Sequence, residues 1–181
     1  MNAVSLRAIA RKVGVTPAAI YRYFPDLSAL IDALHDEVFN DLSTAIISTR
    51  DQSTDDSSAE RLQQMARAMR KWALDHPAEF NFSLGPGWGK ASKPVAAREQ
   101  PAERILALAS MFLSEFTRSP QHYLANSAFL SAWVKLYGLV TLESSGNLQW
   151  MSNNIDTLFH IVLVELVEQR PGDYSWTSVN H

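Results

Sequence analysis

Hydrophobic residues recur at intervals of three and four along almost the whole chain, which is the period of an amphipathic α-helix. The period-two alternation that marks half-buried strands is absent. The clearest helical stretches lie at about 59–76, 102–118, 121–142 and 148–169, and another long one begins near Leu27. The pattern predicts an all-α protein.

Two short helices are predicted ahead of the first long one. Ser5 can cap a helix that ends at Gly14, a residue that tolerates the left-handed backbone of a helix stop. Thr16 can cap a second helix that runs to about Tyr23, and Pro17 suits its first turn because that position needs no N–H. Two such helices joined by a short turn containing glycine form a helix-turn-helix unit.

Two polar segments interrupt the helical pattern and suggest the domain organisation. The first, DQSTDDSS, covers 51–58, and the second, GPGWGKASKP, covers 85–94. We expect a helix-turn-helix domain over residues 1–45, a helical bundle over 46–170 and a tail over 171–181.

Composition removes several classes of function. The chain has no cysteine, which excludes disulfides and thiolate metal sites, and its five histidines have no paired ligand spacing. No metal site, cofactor, phosphate-binding loop or catalytic motif is predicted, so an enzyme is not expected. The start has no signal-peptide pattern and no apolar run is long enough to span a bilayer, so we expect a soluble cytoplasmic protein without membrane contact.

The charge distribution favours nucleic acid at one end of the chain. The net charge is −3, yet residues 1–24 contain four cations and no acid, so they carry about +4 and the remainder about −7. A basic end on an acidic body is typical of a small DNA-binding domain attached to another module.

The residues from 6 to 24 read L-R-x-I-A-x-x-x-G-V-T-x-x-x-I-Y-x-Y-F, followed by L-I-D-A-L at 30–34. This run resembles the DNA-binding domain of the TetR family of transcriptional regulators. Residues 72–82 and 132–148 are also similar to the TetR subgroup named for a Trp-His-Gly pattern: Trp133 and Gly138 fit, while Tyr137 stands in place of the histidine.

The resemblance implies a ligand-responsive repressor that binds double-stranded operator DNA as a homodimer. By position, it assigns DNA contact to a set on and around the second helix: Arg7, Thr16, Pro17, Ala18, Ala19, Tyr21, Arg22 and Tyr23. Two departures from the family stand out. Leu27 occupies the place of a phosphate-binding lysine, and the helix that precedes the motif in the family is missing from this sequence.

The helical bundle is expected to hold an unknown small apolar or aromatic ligand and the dimer interface. Candidate pocket residues are aromatic: Trp72, Phe80, Phe82, Trp88, Phe112, Phe116, Phe129, Trp133 and Tyr137. Such residues also serve as ordinary core. Polar candidates are Glu115, His122 and Asn126. The predicted dimer seam repeats at three and four residues: Ile155, Leu158, Phe159, Val162 and Leu166.

One alternative stays open for the whole chain. Leu27 and the missing helix also suit a helical small-molecule-binding or interaction module that has lost DNA binding.

Overall fold

A computed structural model describes residues 5–52, 57–84, 99–116, 127–150 and 153–168. Within these ranges the chain forms eight α-helices and no strand, which confirms the all-α fold. The helices are α1 (Leu6–Val13), α2 (Pro17–Tyr21), α3 (Leu27–Asp51), α4 (Ser58–Asp75), α5 (Pro77–Leu84), α6 (Glu99–Phe116), α7 (Ser127–Ser144) and α8 (Ile155–Glu168). Trp88, His122, Asn126 and the tail over 171–181 lie outside the described residues.

The chain divides into two compact units, one through Asn40 and one from Asp41 onward. In the first unit, α1 packs against α2. The Ser5 hydroxyl accepts a hydrogen bond from the Ala8 amide at 3.2 Å, so the predicted cap is present. Leu6 and Ala10 are buried.

Helical periodicity predicts that Val13, Val15 and Leu34 face inward in this region, and the structure differs at all three. Val13 and Val15 are exposed. Along α3, Leu34 is 46% exposed and His35 is buried, so the inward face there is rotated by one residue from the apolar pattern.

Gly14 ends α1 with a backbone φ of +77°, and its amide donates to the Ala10 carbonyl. Because a Cβ at this position meets nothing within 4 Å, Gly14→Ala tests the backbone conformation alone. We expect it to lower the free energy of unfolding by about 1–2 kcal/mol, measured by urea denaturation. Gly138 in α7 is equally open but has no positive φ, so Gly138→Ala should raise stability by up to about 1 kcal/mol. If both variants changed the free energy of unfolding in the same direction, the role given to the left-handed backbone of Gly14 would be contradicted.

The second unit is organised around α4, which contacts α5, α6, α7 and α8. One side of α4 is fully buried, with a spacing of three and four residues typical of a core helix. Its buried residues are Leu62, Met65, Ala66, Met69 and Ala73. Helices α7 and α8 pack on each other as well as on α4.

Arg70 ties α4 to both later helices. Its guanidinium donates two hydrogen bonds to Glu143 on α7, at 2.7 and 2.6 Å, and one to Asp156 on α8 at 2.6 Å. It also lies 4.5 Å from the centre of the Phe159 ring. The hydrogen bonds that Arg70 donates to Glu143 raise the pKa of Arg70 further above its ordinary value, so the guanidinium stays charged. The side chains of Arg70 and Glu143 are only 16% and 8% exposed, and the pair therefore lies within the protein.

Candidate functional site

The second helix of the helix-turn-helix is short and its ends are fixed by local bonds. Thr16 accepts a hydrogen bond from the Ala19 amide at 3.2 Å, which confirms the predicted cap, and Pro17 occupies the first helical position. The helix ends at Tyr21 rather than at Tyr23, because the chain turns ahead of Pro25.

One side of α2 forms a continuous exposed surface, which we call the α2 face: Pro17, Ala18, Tyr21 and Arg22. Residues three and four apart on a helix are neighbours, so Ala18 adjoins both Tyr21 and Arg22. Ile20 is half-buried and turns the opposite way. Immediately after the helix, Tyr23 is 77% exposed, which makes it accessible to a partner. The α2 face therefore has small apolar groups at its start and a cation and a phenol at its end, and the phenol of Tyr23 follows directly after it.

The remaining predicted DNA-contact residues flank this face. Arg7 on α1 and Thr16 are exposed, and Ala19 is half-buried. Arg11 and Lys12, in the last turn of α1, are exposed cations that the predicted contact set did not include.

The start of α3 differs from a phosphate-binding helix end. The Asp26 carboxylate accepts a hydrogen bond from the Ala29 amide at 2.9 Å, so an acid already occupies one of the free N–H groups. Leu27 beside it is half-buried and supplies no charge. A phosphate at this helix start would meet a carboxylate and no cation, so the start of α3 is a poor phosphate-binding site.

The predicted pocket aromatics form a packed array between α6 and α7. Phe112 lies 5.4 Å from Trp133 between ring centres, and Phe116 lies 5.3 Å from Phe129. Trp133 stacks on Phe129 at 6.4 Å and on Tyr137 at 5.7 Å. These rings fill the space between the two helices, as core residues do.

A second aromatic group lies on α4 and α5. Trp72 is 6.5 Å from Phe80, and Phe80 is fully buried. Phe82, also on α5, is 36% exposed.

Tyr137 is the polar member of the array. Its hydroxyl donates to the Leu84 carbonyl at the end of α5. Burial raises the pKa of Tyr137, so the phenol stays protonated and acts as a hydrogen-bond donor. By contrast, Glu115, a predicted polar partner for a ligand, forms an ion pair with Arg61 at 2.9 Å.

An open groove of about 290 Å³ lies between α4 and α8 and has no counterpart among the sequence predictions. It is lined by Arg67, Arg70, Lys71, Leu74, Asp75, Asp156 and Phe159. Its cations already have partners on the protein: Arg67 donates to Gln63 and Lys71 pairs with Asp75. The groove is therefore nearly balanced in charge.

The predicted dimer seam on α8 is wrong at two positions. Phe159 and Leu166 are 5% and 1% exposed because they pack inside their own chain, where a partner cannot reach them. Ile155 and Val162 are half-buried, and Leu158 is exposed.

A different set of apolar side chains faces outward on α7 and α8. We call it the outer stripe: Leu130, Val134, Leu158, Ile161 and Val164. Lys135 on α7 pairs with Glu165 on α8 at 2.7 Å, and this exposed ion pair joins the two helices beside the stripe. An apolar surface at the seam of two packed helices is typical of a helix–helix interface.

Two parts of the chain match models of known protein families. Residues 1–34 match "Bacterial regulatory proteins, tetR family", and residues 62–166 match "Tetracyclin repressor-like, C-terminal domain". These descriptions do not mention the Trp-His-Gly subgroup, so that likeness stays a prediction.

Curated relatives include the HTH-type transcriptional regulators Rv1816 of Mycobacterium tuberculosis and Mb1846 of Mycobacterium bovis. Each is 31% identical over 113 residues, which are 62% of this chain and 45% of the relative. The match thus spans less than half the length of these relatives. A solved structure of a protein with unknown function from Rhodococcus sp. RHA1 shares the fold, with a TM-score of 0.64 at 21% identity over 92% of this chain and 84% of that one.

The described ranges contain no group of three or more histidines and carboxylates placed to hold a metal ion. None of their helices is long and apolar enough to cross a lipid bilayer.

Proposed function

The chain belongs to the TetR family of transcriptional regulators, and we propose that it binds operator DNA as a homodimer and releases it when a small apolar or aromatic ligand binds the helical unit. The observation that carries the DNA-binding part is the α2 face. It presents small side chains where a helix meets base edges in the major groove, followed by a cation and phenols where phosphates lie. Repression and a cytoplasmic place of action, beside the DNA, are parts of the same proposal.

The basic surroundings of the α2 face support this role electrostatically. Arg7, Arg11, Lys12 and Arg22 are exposed in a segment of about twenty residues without an acid. Each lysine or arginine that neutralises a phosphate releases a counterion, so the affinity falls as salt rises. Leu27 supplies no cation at the start of α3, so one such contact is left out and that dependence is expected to be shallower.

The proposal is tested by titrating labelled duplexes from the region upstream of the protein's own coding sequence, followed by fluorescence anisotropy at about 50 and 200 mM salt. Tight binding that weakens by at least about tenfold between these salts supports a DNA-binding regulator. The absence of binding at the lower salt, with the helical unit folded, would favour a ligand-binding module without DNA contact. That second candidate is favoured by Asp26 and Leu27 at the start of α3.

The ligand part of the proposal rests on the aromatic array between α6 and α7. The Tyr137 hydroxyl donates to the Leu84 carbonyl and offers a ligand only its acceptor oxygen among apolar rings, which suits an aromatic or apolar molecule with few polar atoms. A ligand releases DNA only as far as it binds one conformation better than another, and a tenfold loss of operator affinity needs about 1.4 kcal/mol of such preference.

Dimerisation is predicted to use the outer stripe. Ile161 is 48% exposed near its middle, so Ile161→Glu should leave the subunit folded and place two carboxylates in an apolar interface. We expect the dimer dissociation constant, from analytical ultracentrifugation, to rise by at least about 100-fold, since burying an unpaired charge costs several kcal/mol. Leu106 on α6 is also 48% exposed, and Leu106→Glu is the matched control. Equal effects of the two variants would contradict this interface.

A further inference from the structure

The start of the α2 face is chemically unusual for a surface that recognises bases. Pro17 and Ala18 are exposed and have neither a side-chain donor nor an acceptor. Pro17 also lacks a backbone N–H. The adjacent Thr16 hydroxyl is engaged as the helix cap, where it accepts a hydrogen bond from the Ala19 amide. These leading positions offer carbon atoms, while hydrogen-bonding groups are placed further along the chain.

The cation and phenols are separated from these carbons along the helix axis. Ala18 and Arg22 are four residues apart, which is about 6 Å of rise. The major groove is about 12 Å wide and 8.5 Å deep. When Ala18 reaches a base edge, Arg22 and Tyr23 therefore stand near the rim of the groove, at the level of the phosphates. The hydrogen-bonding groups fix position, and the apolar groups meet the bases.

We propose that Pro17 and Ala18 recognise the 5-methyl group of thymine, so that each operator half-site has at least one thymine that is selected through this methyl contact. The inference rests on the proposed DNA-binding function and specifies the chemistry of its target. In the major groove the thymine methyl is the one apolar feature of the base-pair edges, and apolar side chains such as alanine contact it. The small size of Ala18 also lets the backbone approach, which a larger side chain would prevent.

The test begins with duplexes selected from a random pool by the full-length chain. Each thymine of the selected half-site is then replaced by deoxyuridine, which removes the methyl and leaves every hydrogen-bonding group in place. We expect one or two positions at which the dissociation constant rises about three- to fivefold, the effect of one buried methyl group. At such a position 5-methylcytosine should bind better than cytosine, because it restores the same methyl.

The protein side of the methyl contact is tested with Ala18→Gly in a double-mutant cycle. At the sensitive position this variant should bind thymine and uracil equally well. Ala33→Gly is the control, because Ala33 is also exposed in the first unit but lies on α3 rather than on the α2 face. Ala18→Ser, which keeps a carbon at Cβ and adds a hydroxyl, provides a second variant if glycine loosens the helix.

The outcomes separate this inference from the function on which it rests. Binding that no uracil substitution weakens, or a uracil effect that neither Ala18→Gly nor Pro17→Gly changes, overturns the methyl contact while operator binding stands. Selected half-sites that contain no thymine overturn it as well. Failure to select any duplex at low salt overturns both this inference and the DNA-binding proposal.

Discussion

Replacing Arg22 and Tyr23 together with alanine is expected to weaken operator binding by at least about 100-fold. Hydrogen bonds that involve a charged group contribute about 1.5–3 kcal/mol each, and a dimer presents two copies of Arg22. The loss of both arginine contacts alone amounts to about 3 kcal/mol. The measurement is the anisotropy titration at low salt, repeated at several salt concentrations, and the slope of log affinity against log salt should also become shallower.

The double variant is informative because both side chains are exposed in the chain. Surface substitutions of this kind change stability by about 0.5 kcal/mol or less, so lost binding would not reflect unfolding. Arg67→Ala in the second unit removes the same charge from an exposed position on α4 and serves as the matched control. Unchanged affinity in the double variant would exclude Arg22 and Tyr23 from the DNA contact.

Arg70→Ala is expected to lower the free energy of unfolding of the second unit by about 3–5 kcal/mol. The substitution leaves Glu143, whose side chain is 8% exposed, as a buried carboxylate without its bidentate partner. For a protein of this size the midpoint of thermal unfolding should fall by roughly 6–20 °C, measured by circular dichroism.

Two further variants separate the contributions within this cluster. Asp156 is 88% exposed, so Asp156→Asn should cost less than about 1 kcal/mol although it also contacts Arg70. The double change Arg70→Met, Glu143→Leu removes both charges and should recover most of the stability lost in Arg70→Ala. If the double variant unfolds as easily as the single one, packing rather than the isolated carboxylate is the cause.

Local signals in the sequence were sufficient for the helix-turn-helix. Ser5, Gly14, Thr16 and Pro17 act through bonds and backbone angles within four residues, and the structure has each of them in its predicted place. The number and order of the long helices followed from periodicity alone. Helix ends were less certain: α8 begins at Ile155 rather than near Leu148. Gly146, with φ of +74°, forms a turn, and residues 148–150 are a bend and a turn rather than helix.

For the helices of the second unit, the sequence could not predict which apolar residues face the core and which face outward. In α8, apolar residues occupy both the inward face, with Phe159, and the outward one, with Ile161, so the sequence alone does not tell core from interface. The Arg70 cluster was missed for a related reason. Arg70 and Glu143 are 73 residues apart, and only the packing of α4 on α7 brings them within bonding distance.

The Arg70 cluster also constrains how this protein can change over evolutionary time. A guanidinium that binds a carboxylate through two parallel hydrogen bonds is not replaced by lysine, which donates as a point charge. A protein in which only one of Arg70 and Glu143 has been replaced by a neutral residue is destabilised. The two residues are therefore expected to be inherited as a pair. Asp156, at the exposed end of the same network, can be substituted independently of the other two residues.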